Sequence, residues 1–354
     1  MTAPSSVFDQ IEDHSRPPVI VAELSANHSG DLSRALEIID ACAEAGADAL
    51  KLQTYTADTI TLDHDGPGFV LEGGLWDGRK LHGLYEEAHT PWDWHAALFE
   101  RGRKHGMEVF SSPFDFTAVD FLEQFEPPAY KIASFELIDL PLITHAAQTG
   151  RPLVMSTGMA SWDEIIEAVL TARQAGCERL CILHCTSGYP TPIEQADLRT
   201  LPDLIARLQL PIGLSDHTPG IAAPVAATAL GARMIEKHVT MRRSDGGPDA
   251  AFSLEPDELA ALVRETRNAH AALGGVRKGL AQSEERSRTV RRSLYVTRDI
   301  KAGDVLSVDN IRSVRPGGGL HPREWTKVLG RTASRDLKFG DPLDWSMISD
   351  GPHD

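Results

Sequence analysis

From residue 19 to residue 273 the chain repeats one hydropathic pattern: an amphipathic stretch, a glycine, then a short apolar run that ends in polar residues. The pattern is plain in "CAEAGADALKLQ", "RGRKHGMEVFSS", "AAQTGRPLVMSTG", "RQAGCERLCILHC" and "ATALGARMIEKH". A glycine that closes a helical pattern supplies the left-handed conformation past the last turn, and so short an apolar run has the length of a strand buried on both faces. Each unit therefore reads helix, turn, strand. Strands are predicted at 19–22, 49–53, 109–112, 130–133, 153–156, 180–184, 212–215 and 234–237, eight in all. Between them, "SRALEIIDACAEAG", "SWDEIIEAVLTARQAG" and "EPDELAALVRETRNAHAAL" carry apolar residues at three- and four-residue spacing, with Ser33, Ser161 and Pro256 near their starts.

Eight such units predict an α/β fold of the (β/α)8 TIM-barrel type. A doubly wound open sheet is the competing arrangement, but no G-x-G-x-x-G turn follows the first strand. In a barrel every strand's C-terminal end opens on one mouth. The residues expected there are polar: Glu23, Lys51, Gln53, Ser112, Lys131, Ser134, Ser156, His184, Thr186, Ser215, His217, Glu236 and His238.

Two stretches break the pattern. Residues 54–91 form an over-long connection, and Trp76, Tyr85, Trp92 and Trp94 in and just beyond it predict a functional lid or an apolar plug on the barrel rim. After "GGVRKGLAQSEERSRTVRR" comes a shorter segment with an approximate internal repeat, "RDIKAGDVLSVDNI" against "RDLKFGDPLDWSMI". This predicts a two-lobed, β-rich module whose small core gains stability by docking. The expected division is a barrel domain at 1–275, a linker at 276–290 and a C-terminal domain at 291–354.

Charge narrows the function. With 35 Lys and Arg against 51 Asp and Glu, the net charge of −16 repels polyanions, so nucleic acid is not an expected partner, while a small anion held by local lysines is compatible. No uncharged apolar run approaches membrane-spanning length, and "MTAPSSVFDQIEDHSRPP" lacks a secretory pattern; a soluble, cytoplasmic protein is expected. Cys177, Cys181 and Cys185 read as small buried thiols rather than a metal site.

Candidate chemistry gathers at the predicted mouth. His217 and His238 lie just past the ends of adjacent strands, where two imidazoles can converge on one ion and leave open positions, as a carbonyl-polarising Lewis acid requires. Two hydrogen-bonded rim histidines are the alternative, and Asp216 is expected to orient a neighbour rather than bind metal. Lys51 and Lys131 each sit among apolar residues and need a partner. With the hydroxyls of Ser112, Ser134, Ser156 and Ser215 they describe a phosphate or phosphate–carboxylate pocket, although either lysine could instead pair with Glu23 or Glu136. Beside lysines and a metal, Glu136 has the chemistry of a base that activates water.

The motifs "AELSANHSGD", "ADALKLQTYTADTITL", "FSSPFD", "YKIASFE", "STGMAS", "HCTSGYPTP", "GLSDHTPG", "IEKH" and "RSVRPGGGLHP" together resemble the sialic acid (nonulosonic acid) synthase family over nearly the whole chain. The resemblance implies a metal-dependent TIM barrel followed by a small antifreeze-like (SAF, β-clip) domain. It also implies an enzyme, a transferase that condenses phosphoenolpyruvate with an acylated amino sugar in a domain-swapped homodimer. Carried over by motif, Lys51, Ser112, Lys131, Ser134, Ser156, Ser187 and Ser215 are implied for phosphoenolpyruvate. His217 and His238 are implied for a divalent cation (Mn2+, Mg2+ or Co2+), and Glu23, Gln53, Tyr189 and Asp249 for the sugar. Glu136 is implied near the attacking water, and Arg315 as a guanidinium projected into the other subunit's site, where sequence alone would read a surface arginine before a Pro-Gly turn. Ser187 stands where family members often have asparagine, and Val290 where some have an aromatic residue. "ELSANH", "GGLWDGRKLHGLYEEAHTPWDWH" and "RSLYVTRDIKAGDV" are most like the branch that makes pseudaminic acid, with N-acetylneuraminate or legionaminate synthesis as the neighbouring alternative. A non-catalytic carbohydrate-binding protein and a Schiff-base aldolase are the readings from other classes.

Overall fold

The apolar runs pair edge to edge in chain order. The strands are β1 (Val19–Glu23), β2 (Ala49–Thr54), β3 (Glu108–Pro113), β4 (Tyr130–Ile132), β5 (Leu153–Ser156), β6 (Leu180–Cys185), β7 (Ile212–Asp216) and β8 (Met234–His238). In the computed structural model, which describes residues 6–349, they form a closed parallel barrel, with β8 returning to β1 so that Glu23 lies opposite His238. Six of the eight run past their predicted C-terminal limit, into the polar residues of the mouth.

Alternation along the strands creates two separate cores. On β1, Ile20 and Ala22 face outward into the layer shared with the surrounding helices, while Val19 and Val21 face the barrel interior. Ala49, Phe110, Ala129, Val154, Cys181, Leu183 and Met234 complete that interior, together with Val7, Phe8 and Ile11. Those last three come from a helix at Val7–Glu12, too short to register as periodic in the sequence. Arg233, at the start of β8, fastens it by donating to the backbone carbonyls of Gln10, Ile11, Asp13 and Arg16. The N-terminal opening of the barrel is thereby filled with apolar side chains, and polar chemistry is confined to the other end.

Helix starts follow the sequence signals. Ser161 and Glu164 form a reciprocal capping box on Trp162–Gln174, and Pro256 opens Pro256–Leu273. The cap of Leu32–Ala45 is Asp31, whose carboxylate accepts from the Ser33 N–H; Ser33 is already inside the first turn. Nor is the long connection a single lid. It contains helices at Ala57–Ile60 and Leu81–Ala88. Trp92 packs on Phe121 with ring centres 4.5 Å apart, and Trp94 sets its edge to His28, so both belong to the barrel wall.

A second compact unit begins at Gly275. Its core is Leu294, Val296, Ile300, Leu306, Ile311, Val328, Ala333, Leu337 and Leu343. Strand β9 (Ser293–Val296) pairs antiparallel with β10 (Ile311–Val314), and β11 (Thr332–Ala333) with β12 (Ile348–Ser349). The sequence repeat appears as a crossed pair of matching contacts: Lys301 reaches Asp336 at 2.7 Å, Lys338 reaches Asp299 at 2.9 Å, and Ile300 bridges to Leu337. The expected linker carries two short turns of helix, Gln282–Glu284 and Glu285–Arg288. Both chain ends of the predicted domains, 1–5 and 350–354, lie outside the described residues. Among the described residues no helix is long and apolar enough to cross a membrane.

Candidate active site

Two residues beyond the interior apolar position nearest the mouth, on seven of the strands or at their edge, stands a polar or sulfur-bearing side chain. Val21 is followed by Glu23, Ala49 by Lys51, Phe110 by Ser112, Ala129 by Lys131, Val154 by Ser156, Leu183 by Cys185, and Met234 by Glu236. Strand periodicity therefore stacks a polar layer directly on the dry one. Within it, Lys51 Nζ lies 2.9 Å from Glu23 Oε2 and 3.1 Å from Glu236 Oε1, and Lys131 Nζ lies 3.5 Å from the same Glu236 oxygen. Ser215 donates to that oxygen at 2.9 Å.

Burial disfavours every charge in this cluster, and the partners decide which survives. Burial works against the Lys51 ammonium, but Glu23 and Glu236 more than reverse it and hold its pKa above the ordinary value. Glu236 is likewise penalised by burial, yet Lys131, Lys51 and the Ser215 hydroxyl push its pKa below the usual carboxylate range. For Glu23, burial prevails over Lys51 and the pKa rises. Burial also prevails for Lys131, whose pKa falls despite Glu236. Glu236 thus joins the two lysines, a role the sequence did not reveal because it depends on which strands face each other across the barrel. The hydroxyls of Ser112 and Ser156 are buried in the same layer without a hydrogen-bond partner.

Above β4 and β5 the pocket narrows. The Gly158 N–H donates to Ser134 Oγ at 3.1 Å, and a Cβ at position 158 would stand 2.1 Å from Ser187 Oγ and 2.7 Å from Ser134 Oγ. Only glycine lets these two hydroxyls come together. Glu136 closes the turn Ser134–Glu136; no ion pair among the described residues joins it to either lysine. Its Oε2 is buried and unpartnered, and burial raises its pKa to about 7.

The two histidines meet with ring centres 5.4 Å apart. His217 Nδ1 faces the Thr186 carbonyl at 3.2 Å, which places a proton on Nδ1 and leaves Nε2 as the nitrogen available to a ligand; burial pulls its pKa down, but Cys185 and the carbonyl more than reverse this and raise it. Burial, reinforced by His217, holds the pKa of His238 well below its ordinary value, so its ring is neutral; its Nδ1 is buried without a hydrogen-bond partner, 3.9 Å from Asp249 Oδ2. Two converging imidazoles, one of them with an orphaned nitrogen, are the kind of ligand that suits a borderline-hard divalent cation. Among the described residues no three His, Cys, Asp or Glu side chains form a ready cage, so these two would be an incomplete set. Asp216 binds neither ring. It holds the turn carrying His217, accepting from the Thr218 N–H and from Lys237, whose ammonium is fully buried 2.5 Å away. The three cysteines are buried free thiols as expected, and one of them borders the site, for Cys185 Sγ lies 3.8 Å from His217 Nδ1.

The remaining predicted residues line the rim. The Tyr189 ring stands 4.5 Å from His217 and 5.7 Å from Trp76, whose indole N–H donates to the Pro248 carbonyl, so Trp76 reaches the mouth; Tyr85 packs edge-on to Tyr55, and burial together with the nearby Glu136 carboxylate raises its pKa. Gln53 and Asp249 are joined through Ser25, which accepts from the Gln53 amide at 2.9 Å and donates to the Asp249 carboxylate. Sequence reasoning passed over Ser25, although "ELSANH" marks it. Arg315 belongs to the second unit, where it lines a cavity of about 550 Å3 with Arg291, Arg292 and His321 and no acidic residue.

Residues 38–278 match the NeuB family and residues 291–349 the SAF domain. The chain is 46% identical over 324 residues to a pseudaminic acid synthase of Campylobacter jejuni, covering 92% of this chain and 94% of that one. Its identity to a pseudaminic acid synthase of Helicobacter pylori is 43%, covering 93% and 97%. Among solved structures, an N-acetylneuraminic acid synthetase of Leptospira borgpetersenii aligns with a TM-score of 0.69 at 33% identity, over 77% of this chain and 90% of that one. Barrel, polar layer and C-terminal module thus belong to one kind of protein: the chain is an enzyme, a carbon–carbon bond-forming transferase, and a member of the NeuB family.

Proposed function

We propose that the chain condenses phosphoenolpyruvate with the open-chain aldehyde of 2,4-diacetamido-2,4,6-trideoxy-L-altrose, giving pseudaminic acid and inorganic phosphate. The observation that carries this reading is the polar layer, in which two buried lysines and the unpartnered hydroxyls of Ser112 and Ser156 converge on a space floored by apolar side chains. Donors buried without acceptors are costly unless a ligand supplies oxygens, and phosphoenolpyruvate carries both phosphate and carboxylate. The choice of sugar is supported by identities of 46% and 43% to pseudaminic acid synthases, against 35% to an N,N'-diacetyllegionaminic acid synthase of Legionella pneumophila.

In this reading Lys51, Lys131 and Ser215, with Ser112, Ser134, Ser156 and Ser187, bind phosphoenolpyruvate. Gln53, Asp249, Glu23 and Tyr189 orient the sugar above it. His217 and His238 would hold Mn2+, Mg2+ or Co2+, which, when bound, polarises the aldehyde carbonyl. C3 of phosphoenolpyruvate attacks the aldehyde carbon, and the alkoxide so formed takes a proton. Water adds to C2 and gives one proton to Glu136, and the C2–O bond to phosphate then breaks as the keto group forms, the remaining hydroxyl proton leaving with the phosphate. Arg315 contributes from the partner in a domain-swapped homodimer, its guanidinium free of acidic neighbours in its own cavity and suited to acylamino oxygens. The reaction belongs in the cytoplasm, where phosphoenolpyruvate is made.

The test is phosphate release from phosphoenolpyruvate with three sugars in parallel: the altrose derivative and the precursors of legionaminate and N-acetylneuraminate. Turnover with the altrose derivative at least tenfold above the others is expected, and a preference for another sugar overturns the assignment. Chelation should stop turnover and Mn2+ restore it; full activity in chelator refutes the metal. Sugar binding without phosphate release marks a carbohydrate-binding protein instead, and a borohydride-trapped adduct on Lys51 or Lys131 marks an aldolase.

A further inference from the structure

Ser25 holds its backbone at φ +44°, in the left-handed region where a side chain is disfavoured and glycine is at ease. It is buried, at 3% exposure, directly after β1. Strain of this kind persists where the side chain has work that glycine cannot do. The serine supplies three contacts. Its hydroxyl accepts from Gln53 Nε2 at 2.9 Å, the same hydroxyl donates to the Asp249 carboxylate, and its N–H donates to Glu23 Oε1 at 3.1 Å. Glycine would retain the last of these and lose the other two. The hydroxyl is therefore what couples an amide on β2 to a carboxylate on the loop after β8. That loop is itself anchored, for the Ser253 hydroxyl donates to the Asp249 carbonyl at 2.7 Å and accepts from Asn27 at 2.9 Å.

We propose that Ser25 is a specificity-determining positioning residue: its hydroxyl fixes the rotamers of Gln53 and Asp249 so that one donor amide and one acceptor carboxylate face the amino sugar at a set separation. This rests on the reading of Gln53 and Asp249 as sugar-side residues. A tied amide–hydroxyl–carboxylate chain discriminates between epimeric hydroxyl and acetamido groups, because a wrongly placed group leaves a buried polar atom unpaired. Untied, the two side chains rotate to suit several sugars.

The test uses Ser25→Gly and Ser25→Ala in the full-length enzyme, with KM and kcat measured separately for phosphoenolpyruvate and for each of the three sugars. Ser25→Gly relieves the strained φ, so its Tm should equal or exceed that of Ser25→Ala, which keeps the strain. Both variants should raise KM for the preferred sugar roughly tenfold or more, leave KM for phosphoenolpyruvate within about twofold, and shrink the preference among sugars by a similar factor. A merely structural serine predicts the opposite: a lowered Tm with an unchanged sugar preference. Wild-type KM and selectivity in Ser25→Gly overturns the inference while leaving the synthase reading intact. If the wild-type enzyme releases no phosphate with any of the sugars, the synthase reading fails, and this one with it.

Discussion

Lys51 and Lys131 occupy the same layer and share one carboxylate, yet their removal should have opposite consequences. In Lys131→Met the apolar stem is kept and only the ammonium goes. Glu236 still has Lys51 at 3.1 Å and Ser215 at 2.9 Å, so no carboxylate is left bare. The stability loss should stay near 1 kcal/mol. Phosphoenolpyruvate, however, loses a charge-assisted contact inside a buried site, about 3 kcal/mol, or roughly a hundredfold in kcat/KM. Lys51→Met strips Glu23 of its counter-ion, leaving it the Ser25 N–H, and leaves Glu236 with Ser215 and with Lys131 3.5 Å away as its one counter-ion, which should cost about 3–5 kcal/mol. Part of that cost can be evaded by protonation. The pKa of Glu23 is already raised by burial in spite of Lys51, and without Lys51 it rises further. A folded-state carboxyl that keeps its proton while the unfolded one releases it destabilises increasingly as pH climbs from the ordinary carboxylate value through the raised one. The deficit of Lys51→Met should therefore be small near pH 5 and large above pH 7. Urea unfolding across that range, paired with calorimetric binding of phosphoenolpyruvate, measures both effects. Equal destabilisation by the two substitutions, or unimpaired phosphoenolpyruvate binding in Lys131→Met, would refute this account of the layer.

Three further outcomes follow from the same geometry. If Glu136 accepts the water's proton, kcat/KM should rise with pH and level off above about 7, its raised pKa, and Glu136→Gln should abolish that limb and lower the rate by about 10²–10⁴-fold; an unchanged profile in the variant removes Glu136 from the proton transfer. Gly158→Ala forces a Cβ to 2.1 Å from Ser187 Oγ and 2.7 Å from Ser134 Oγ, so KM for phosphoenolpyruvate should rise at least tenfold, roughly 1–3 kcal/mol of overpacking, with sugar KM little changed. Should Arg315 act on the partner's site, inactive Arg315→Ala and His217→Ala chains, mixed and reassembled, should regain about a quarter of wild-type activity, from the one intact site in each mixed dimer; no recovery would place Arg315 in its own subunit's chemistry or outside it.

Much of the barrel was legible because its strands are apolar on both faces and separated by helix-ending glycines, a pattern that short-range sequence carries in full. The polar strand ends were legible for the same reason: once β1 to β8 are placed, Glu23, Lys51, Ser112, Lys131, Ser156, Ser215, His217 and His238 must surround one mouth. What the sequence withheld depends on distance around the ring. Glu236 lies on β8 and Lys131 on β4, and nothing local says that a glutamate there reaches both lysines. Cys185 reads as a buried thiol until β7 brings His217 beside it. Trp76, Trp92 and Trp94 look alike in one aromatic-rich stretch, and only the fold separates the one that touches Tyr189 from the two that pack in the wall.

The shared carboxylate also explains how so charged a layer can fold with no ligand in it. Two buried ammoniums without counter-ions would cost several kcal/mol each, more than a marginally stable barrel can absorb. Glu23 and Glu236 neutralise them within the chain. The consequence falls on binding: a ligand carrying both phosphate and carboxylate charges meets carboxylates already in place in this layer, and one way to accommodate it is for a carboxyl to take up a proton. Glu23 is the group poised for this, its pKa raised by burial while that of Glu236 is held down. Binding of phosphoenolpyruvate should then be coupled to proton uptake that is about half a proton at pH 7, where Glu23 is already partly protonated, and approaches one a pH unit or more above, a quantity that calorimetry in buffers of different ionisation enthalpy reads directly. Glu23→Gln should abolish the uptake, whereas unchanged uptake in that variant would assign the proton to another group.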